Sequence, residues 1–223
     1  MKPYEGAVDW VLLKFFGILC RLDIAELNNV PSQGPFILVG NHVNFLEVPV
    51  IRAGLYPRDV IGLAKAEAYD NPLTNFLFKT WGSISIERGT VDRTALKACS
   101  LALAQGKILA VAPEGTRSGD GNLLPGKPGI TLIAVHSGVS LVPVSYWGAE
   151  QFWDNLKHFR RTPFHVRVGR PFVIDTHGEG LSKEMRQRIT DEIMFKLAEL
   201  LPEQYRGAYP HPEREVYQYL REL

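Results

Sequence analysis

No apolar stretch of this chain reaches the ~20 residues that a bilayer-spanning helix requires. The strongest, Trp10 to Cys20, is interrupted by Lys14 and Gly17 and closed by Arg21. It also lacks the basic leader and small-residue cleavage site of a secretory signal. Cysteine is scarce. Cys20 and Cys99 are the two present, both in apolar segments expected to be helical, which favours free thiols in a reducing cytosol over a disulfide framework. Net charge is scarce as well. A formal +1 over 223 residues gives no global electrostatic case for nucleic acid, so no such partner is expected. There is no repeat, no low-complexity tract, no domain-scale linker and no Gly-x-Ser-x-Gly elbow. His136, His165, His177 and His211 show no metal-ligand spacing, so no metal is expected.

What is present is a globular composition, 45% hydrophobic and 22% charged, in a chain long enough for one substantial core. Short apolar runs alternate with helical ones. Strands are expected at Phe36–Val39, Val60–Ala64, Ile84–Ile86, Lys107–Ala112, Leu141–Tyr146 and Phe164–Val168. Helices are expected after Asn71-Pro72 to Trp81, from a Thr90 cap to Gln105, from Gly126 to Ser137, and from a Ser182 cap to about Leu201. A short helix is expected to close the chain. This alternation predicts an α/β fold: a single domain with a central, mostly buried, mixed or largely parallel sheet flanked by helices, plus an N-terminal apolar helix. The predicted division is residues 1–27 for that helix and 28–223 for the main domain. On the N-terminal helix Val11, Phe15, Ile18 and Leu22 share a face, widened by Leu12, Phe16 and Leu19. Packing on the core and lying in a membrane interface both fit.

In open α/β sheets, sites gather at the carboxyl ends of strands. His42, Lys65, Arg88 and Glu114 all follow strand candidates. His42, in Gly40-Asn41-His42-Val43-Asn44-Phe45-Leu46-Glu47, can act as a general base if Glu47 holds its other nitrogen and stabilises the imidazolium. By itself such a pair is weak, since most short motifs are structural coincidences. With no compelling nucleophile in the chain, direct attack by a substrate hydroxyl is favoured over a covalent intermediate. Arg88 and Arg117 can fork a phosphate, with Lys65 and Lys127 as point charges. Taken singly, each of these reads by default as an ordinary surface charge. Glu114 either hydrogen-bonds a substrate hydroxyl or pairs with an arginine. Pro143 is expected to shape its strand, not to touch substrate.

Four ordered blocks then carry a resemblance: Asn41-His42 to Glu47, Gly82-Ser83-Ile84-Ser85-Ile86-Glu87-Arg88, Pro113-Glu114-Gly115-Thr116-Arg117-Ser118, and Val142-Pro143-Val144. Together with Leu63-Ala-Lys65-Ala-Glu67, they resemble the glycerolipid acyltransferase family over about residues 30–148. The third block is particularly specific. The resemblance implies transfer of a fatty acyl group from acyl-CoA or acyl carrier protein to a lysophospholipid, foremost lysophosphatidic acid to phosphatidic acid. It implies no cofactor beyond that co-substrate. His42 is then the base with Glu47 its partner, and Lys65, Arg88, Glu114, Gly115, Thr116, Arg117 and Lys127 bind substrate. Another acceptor, such as glycerol 3-phosphate or a glycolipid, is the alternative.

Two departures stand out. The family aspartate is Glu47 here and the usual serine is Asn44, so a noncatalytic lipid-binding relative is a further alternative. A lipid substrate also favours the interfacial reading of the N-terminal helix, with the protein peripheral on the cytoplasmic face of a membrane. The basic stretch Lys157-His158-Phe159-Arg160-Arg161 can meet anionic headgroups, meet donor phosphates, or simply be solvated.

Overall fold

The structure, a computed structural model, describes residues 5–86 and 92–223. The chain enters with α1 (Glu5–Leu19), which runs directly into β1 (Cys20–Asp23). β2 (Phe36–Gly40) leads to α2 (Glu47–Gly54), followed by β3 (Val60–Lys65), α3 (Pro72–Thr80) and β4 (Ile84–Ile86). Next come α4 (Arg93–Ala104), β5 (Ile108–Val111), α5 (Gly129–Ser137) and β6 (Leu141–Trp147). The last part is α6 (Phe152–Lys157), β7 (Thr162–Val168), β8 (Phe172–Ile174), α7 (Lys183–Glu199) and β9 (Leu220–Glu222).

Among the described residues these strands make one mixed sheet in the order β1-β7-β6-β2-β5-β3-β4, with β8 joining β6 to β9. β2 lies between β5 and β6 and is parallel to both. Its five residues are all buried, which is why it reads as a continuous apolar run and not as an alternating one. Its side chains still alternate between faces. Ile37 and Val39 pack with Leu103, Ile130, Ile189 and Leu197 under α4, α5 and α7. Phe36 and Leu38 pack with Phe16, Leu46, Val50 and Ile51 under α1 and α2. Register then brings two distant blocks together. Val39 stands opposite Val111, so the segments leading to His42 and to Glu114 leave the sheet side by side.

Side-chain caps start three of the helices. The Asn71 side chain accepts the Leu73 N–H at 2.9 Å to start α3, and Ser182 accepts the Met185 N–H at 3.1 Å to start α7. α4 is capped by Asp92 through the Ala95 N–H at 2.9 Å; Thr90 lies outside the described residues. α5 starts at Gly129, not Gly126, because Pro128 occupies its N-cap position.

The chain closes on β9 in place of the expected helix. Cys20 lies in a strand, not a helix. β1, α6 and β8 were also not anticipated; they are four, six and three residues long, too short for a hydrophobic period to register.

The segment 1–27 is not separate from the rest. β1 pairs with β7 in parallel, and Leu27 is buried in the core under α1 and α2. α1 faces both ways. Phe16 is 6% exposed and Leu12 and Leu19 pack on the core, whereas Val11, Phe15 and Ile18 point outward, Ile18 at 72%. Among the described residues no helix is long and apolar enough to cross a membrane. A buried polar contact fixes α1: Asp9 accepts the Arg52 Nε–H at 3.1 Å from α2 and the Trp81 indole N–H at 3.0 Å.

Candidate active site

His42 is held by its backbone before its side chain is considered. Its N–H donates to Glu114 Oε1 at 2.8 Å, and its carbonyl accepts the Ser118 N–H at 2.8 Å. The Val43 carbonyl accepts the Gly119 N–H at 3.1 Å. The third sequence block therefore clamps the first on both sides. Asn41 adds a third tie, its amide exchanging two 2.8 Å hydrogen bonds with the N–H and carbonyl of Tyr146 at the end of β6. Gly40 leaves room for the Tyr146 side chain, since a Cβ there would lie 2.8 Å from the Tyr146 hydroxyl.

Asn44, which stands where the family has serine, bridges elsewhere. Its side chain donates to the Ala149 carbonyl at 2.7 Å and accepts the Leu46 N–H at 2.8 Å, shaping the turn into α2. The sequence assigns no site role to Gly40, Asn41 or Tyr146, and Asn44 stands out in it only as the replacement of the family serine. A glycine closing an otherwise apolar strand is the signal that could have found this close contact.

Glu47 opens α2 and is buried. Its Oε1 lies 3.8 Å from His42 Nδ1, beyond hydrogen-bond reach. That oxygen instead accepts the N–H groups of Val43 at 2.5 Å and Asn44 at 2.7 Å. Oε2 is buried with no hydrogen-bond partner among the described residues. Tyr146 is buried near it, and burial together with the Glu47 charge pushes its hydroxyl far above the usual tyrosine range. The His42 side chain is 22% exposed. Both residues line a cavity of about 160 Å³ with Leu38, Val48, Ile51 and Trp81. Phe76, on α3, faces outward.

Glu114 is fully engaged by backbone. Its second oxygen accepts the Leu124 N–H at 3.0 Å, and the residue is 1% exposed. Burial pushes its carboxyl up to about 7, the two amide hydrogen bonds pulling against that and the Glu47 charge adding to it. No arginine pairs with it among the described residues.

The cations stand differently. Lys65, Arg117 and Lys127 are exposed, and none is in an ion pair with another described residue. Lys127 lies over Gly115, where an added Cβ would meet its ammonium at 3.2 Å. Gly115 adopts φ 65°, which suits glycine. Thr116 is exposed beside it. Arg88 falls outside the described residues. Gly115 also lines a second, more apolar cavity of about 460 Å³ under α4 and α5, which shares Leu63, Ile86, Val111 and Ala112 with the first. Cys20 and Cys99 are buried free thiols pushed up to about 11 by burial, poor candidates for a nucleophile. Among the described residues no group of His, Cys, Asp and Glu could hold a metal ion.

The arrangement brings together a partly exposed imidazole beside a buried carboxylate, an apolar cavity, and cations on the same edge of the sheet. The sequence and the fold that carry it are similar to those of known proteins. A family model described as Acyltransferase matches residues 21–147, more than half of the chain. A 1-acyl-sn-glycerol-3-phosphate acyltransferase of Bacillus subtilis is 23% identical over 77% of this chain and 84% of its own length. One from Limnanthes alba is 31% identical over 74% of this chain, which spans only 56% of that relative. The crystal structure of the 1-acyl-sn-glycerophosphate (LPA) acyltransferase of Thermotoga maritima superposes with a TM-score of 0.64 at 25% identity, covering 88% of this chain and 79% of that one. The chain belongs to the acyltransferase family.

Proposed function

We propose that the protein transfers a fatty acyl group from acyl-CoA or acyl carrier protein to the free hydroxyl of lysophosphatidic acid, giving phosphatidic acid, with His42 as general base. One observation carries this reading: the third block grips the His42 peptide at both its N–H and its carbonyl. That grip fixes the imidazole at the mouth of an apolar cavity while Arg117, next to Ser118 in the chain, stays free to meet an anion. With Nδ1 turned toward Glu47, Nε2 is the nitrogen left to take the hydroxyl proton. The alkoxide adds to the thioester carbonyl carbon, the C–S bond breaks, and His42 returns its proton to the thiolate. The Glu47 charge favours the imidazolium in between.

Catalytic hydrogen bonds are often long before substrate binds, so a small rotation that closes the 3.8 Å gap belongs to this mechanism. Lys65, Arg88, Arg117 and Lys127, with Gly115 and Thr116, receive the acceptor phosphate. Glu114 serves by positioning His42. The acyl chain enters the cavity lined by Trp81, and the outward face of α1 rests in the cytoplasmic leaflet as a peripheral contact.

The test is purified protein with a panel of acyl donors and of lysolipid, glycerol 3-phosphate and glycolipid acceptors, scored by product mass. Phosphatidic acid is expected, and its formation is expected to vanish in His42→Ala with the fold unchanged. Turnover surviving in that variant refutes the base. Binding of lysolipid without turnover by any donor identifies a noncatalytic relative.

A further inference from the structure

The turn that ends α6 carries an aromatic where folding alone favours glycine. The Arg160 N–H donates to the Asn155 carbonyl at 2.8 Å and the Phe159 N–H to that of Leu156 at 3.2 Å. These are the paired bonds of a helix end whose intervening residue takes the left-handed conformation. That residue is Phe159, at φ 55°, a region glycine enters freely and other side chains enter against steric resistance. Its ring is 99% exposed, so no packing inside the chain offsets the strain.

The turn is anchored to α1. The Arg161 guanidinium donates to the carbonyls of Gly17 at 2.7 Å and Cys20 at 2.6 Å, tying the residues after Phe159 to the end of the helix that carries exposed Phe15 and Ile18. Phe45 bridges the same two elements, 6.3 Å from Phe16 and 5.5 Å from Trp153 between ring centroids. Trp153 and Leu156, one turn apart on α6, are exposed and lead up to Phe159. Lys157, His158 and Arg160 adjoin Phe159 in the chain, while Lys14 lies on α1 and Arg21 just beyond its end, all exposed. Asp154 is the acidic neighbour, 3.6 Å from His158. Apolar and aromatic tips among cations complement an anionic lipid surface, where aromatics settle at headgroup level and basic side chains meet phosphates.

We propose that the Phe159 turn is a second membrane anchor. Phe159, Trp153 and Leu156 seat in the headgroup–acyl boundary of an anionic bilayer beside the outward face of α1, while Lys157 and Arg160 meet lipid phosphates. This rests on the lipid-acyltransfer reading above and adds an orientation to it. Two anchors meet at Phe45, in the same loop as His42, and so hold the catalytic mouth against the surface that supplies the acceptor.

Phe159→Gly removes the ring and relaxes its backbone, so lost binding cannot be blamed on a weakened fold. Partitioning to phosphatidylcholine vesicles containing phosphatidylglycerol is expected to weaken about tenfold, with thermal unfolding unchanged or raised. Lys157→Gln and Arg160→Gln are each expected to weaken it about fivefold on the anionic vesicles and not on neutral ones. Turnover of vesicle-embedded lysophosphatidic acid is expected to follow partitioning, while turnover of a short-chain, monomerically dissolved acceptor stays at the wild-type value. Wild-type partitioning by Phe159→Gly overturns the anchor, as does an effect confined to the charge variants. A change in self-association in place of vesicle binding assigns the turn to a second copy and also overturns it. If the wild-type protein turns over no acceptor, the acyltransfer reading fails, and the vesicle arms still decide the anchor.

Discussion

Glu114 accepts the backbone N–H of His42 at 2.8 Å across 72 positions of sequence, and with its other oxygen accepts the Leu124 N–H at 3.0 Å. One buried side chain thus spaces two loops at the carboxyl edge of the sheet. Glu114→Ala would orphan two amides, at a cost of about 1–3 kcal/mol each, and release the His42 peptide. A displacement of ~1 Å at such a site costs about a hundredfold in rate. A kcat reduced on that order, with acceptor KM little changed, is expected in steady-state kinetics. A rise in acceptor KM alone would mean that Glu114 contacts substrate.

The same carboxyl makes stability depend on pH. It is raised to about 7 in the folded chain, against 4.5, so between those values the folded state keeps a proton that the unfolded state has released. Its contribution is fully present below pH 4.5 and declines as pH rises to about 7, by on the order of 3 kcal/mol. Urea midpoints measured across this range should fall more steeply for the wild type than for Glu114→Gln. Parallel curves would refute the shift.

Glu47→Gln keeps an oxygen for the Val43 and Asn44 amides and deletes the charge beside His42. Its kcat is expected to fall at least about tenfold in steady-state assays, since the imidazolium formed during the reaction loses its partner. An unchanged kcat would make Glu47 a loop brace alone.

Arg52→Ala removes the buried partner of Asp9, which also accepts the Trp81 indole N–H. Removing one member of a buried ion pair costs about 3–5 kcal/mol. Urea unfolding monitored by tryptophan fluorescence should show that loss, with α1 loosened first in hydrogen exchange. A cost below about 1 kcal/mol would place the pair among surface contacts.

Much of this was legible in the chain. The runs at Phe36, Val60, Ile108 and Leu141 read as strands because strands buried on both faces must be continuously apolar. Asn71-Pro72 and Ser182 marked helix starts because capping is a local bond. β9 escaped notice because Leu220–Glu222 becomes a strand only by pairing with β8. α1 was read with Val11, Phe15 and Ile18 on one face, and those are the residues left outside; a helical period shows that a face exists, not which way it points.

The ordered blocks around His42, Arg88 and Glu114 were fixed by sequence, because residue types and spacing are local properties. Whether those blocks meet was decided by parallel register, which sets Val39 opposite Val111 and so delivers His42 to Glu114. The roles of the two carboxylates came from the fold as well. Glu114 turned out to be spent on two backbone amides, and Glu47 sits 3.8 Å from the imidazole. A carboxylate's task depends on which donors surround it, and in this chain most of those donors are backbone groups that only the fold brings near.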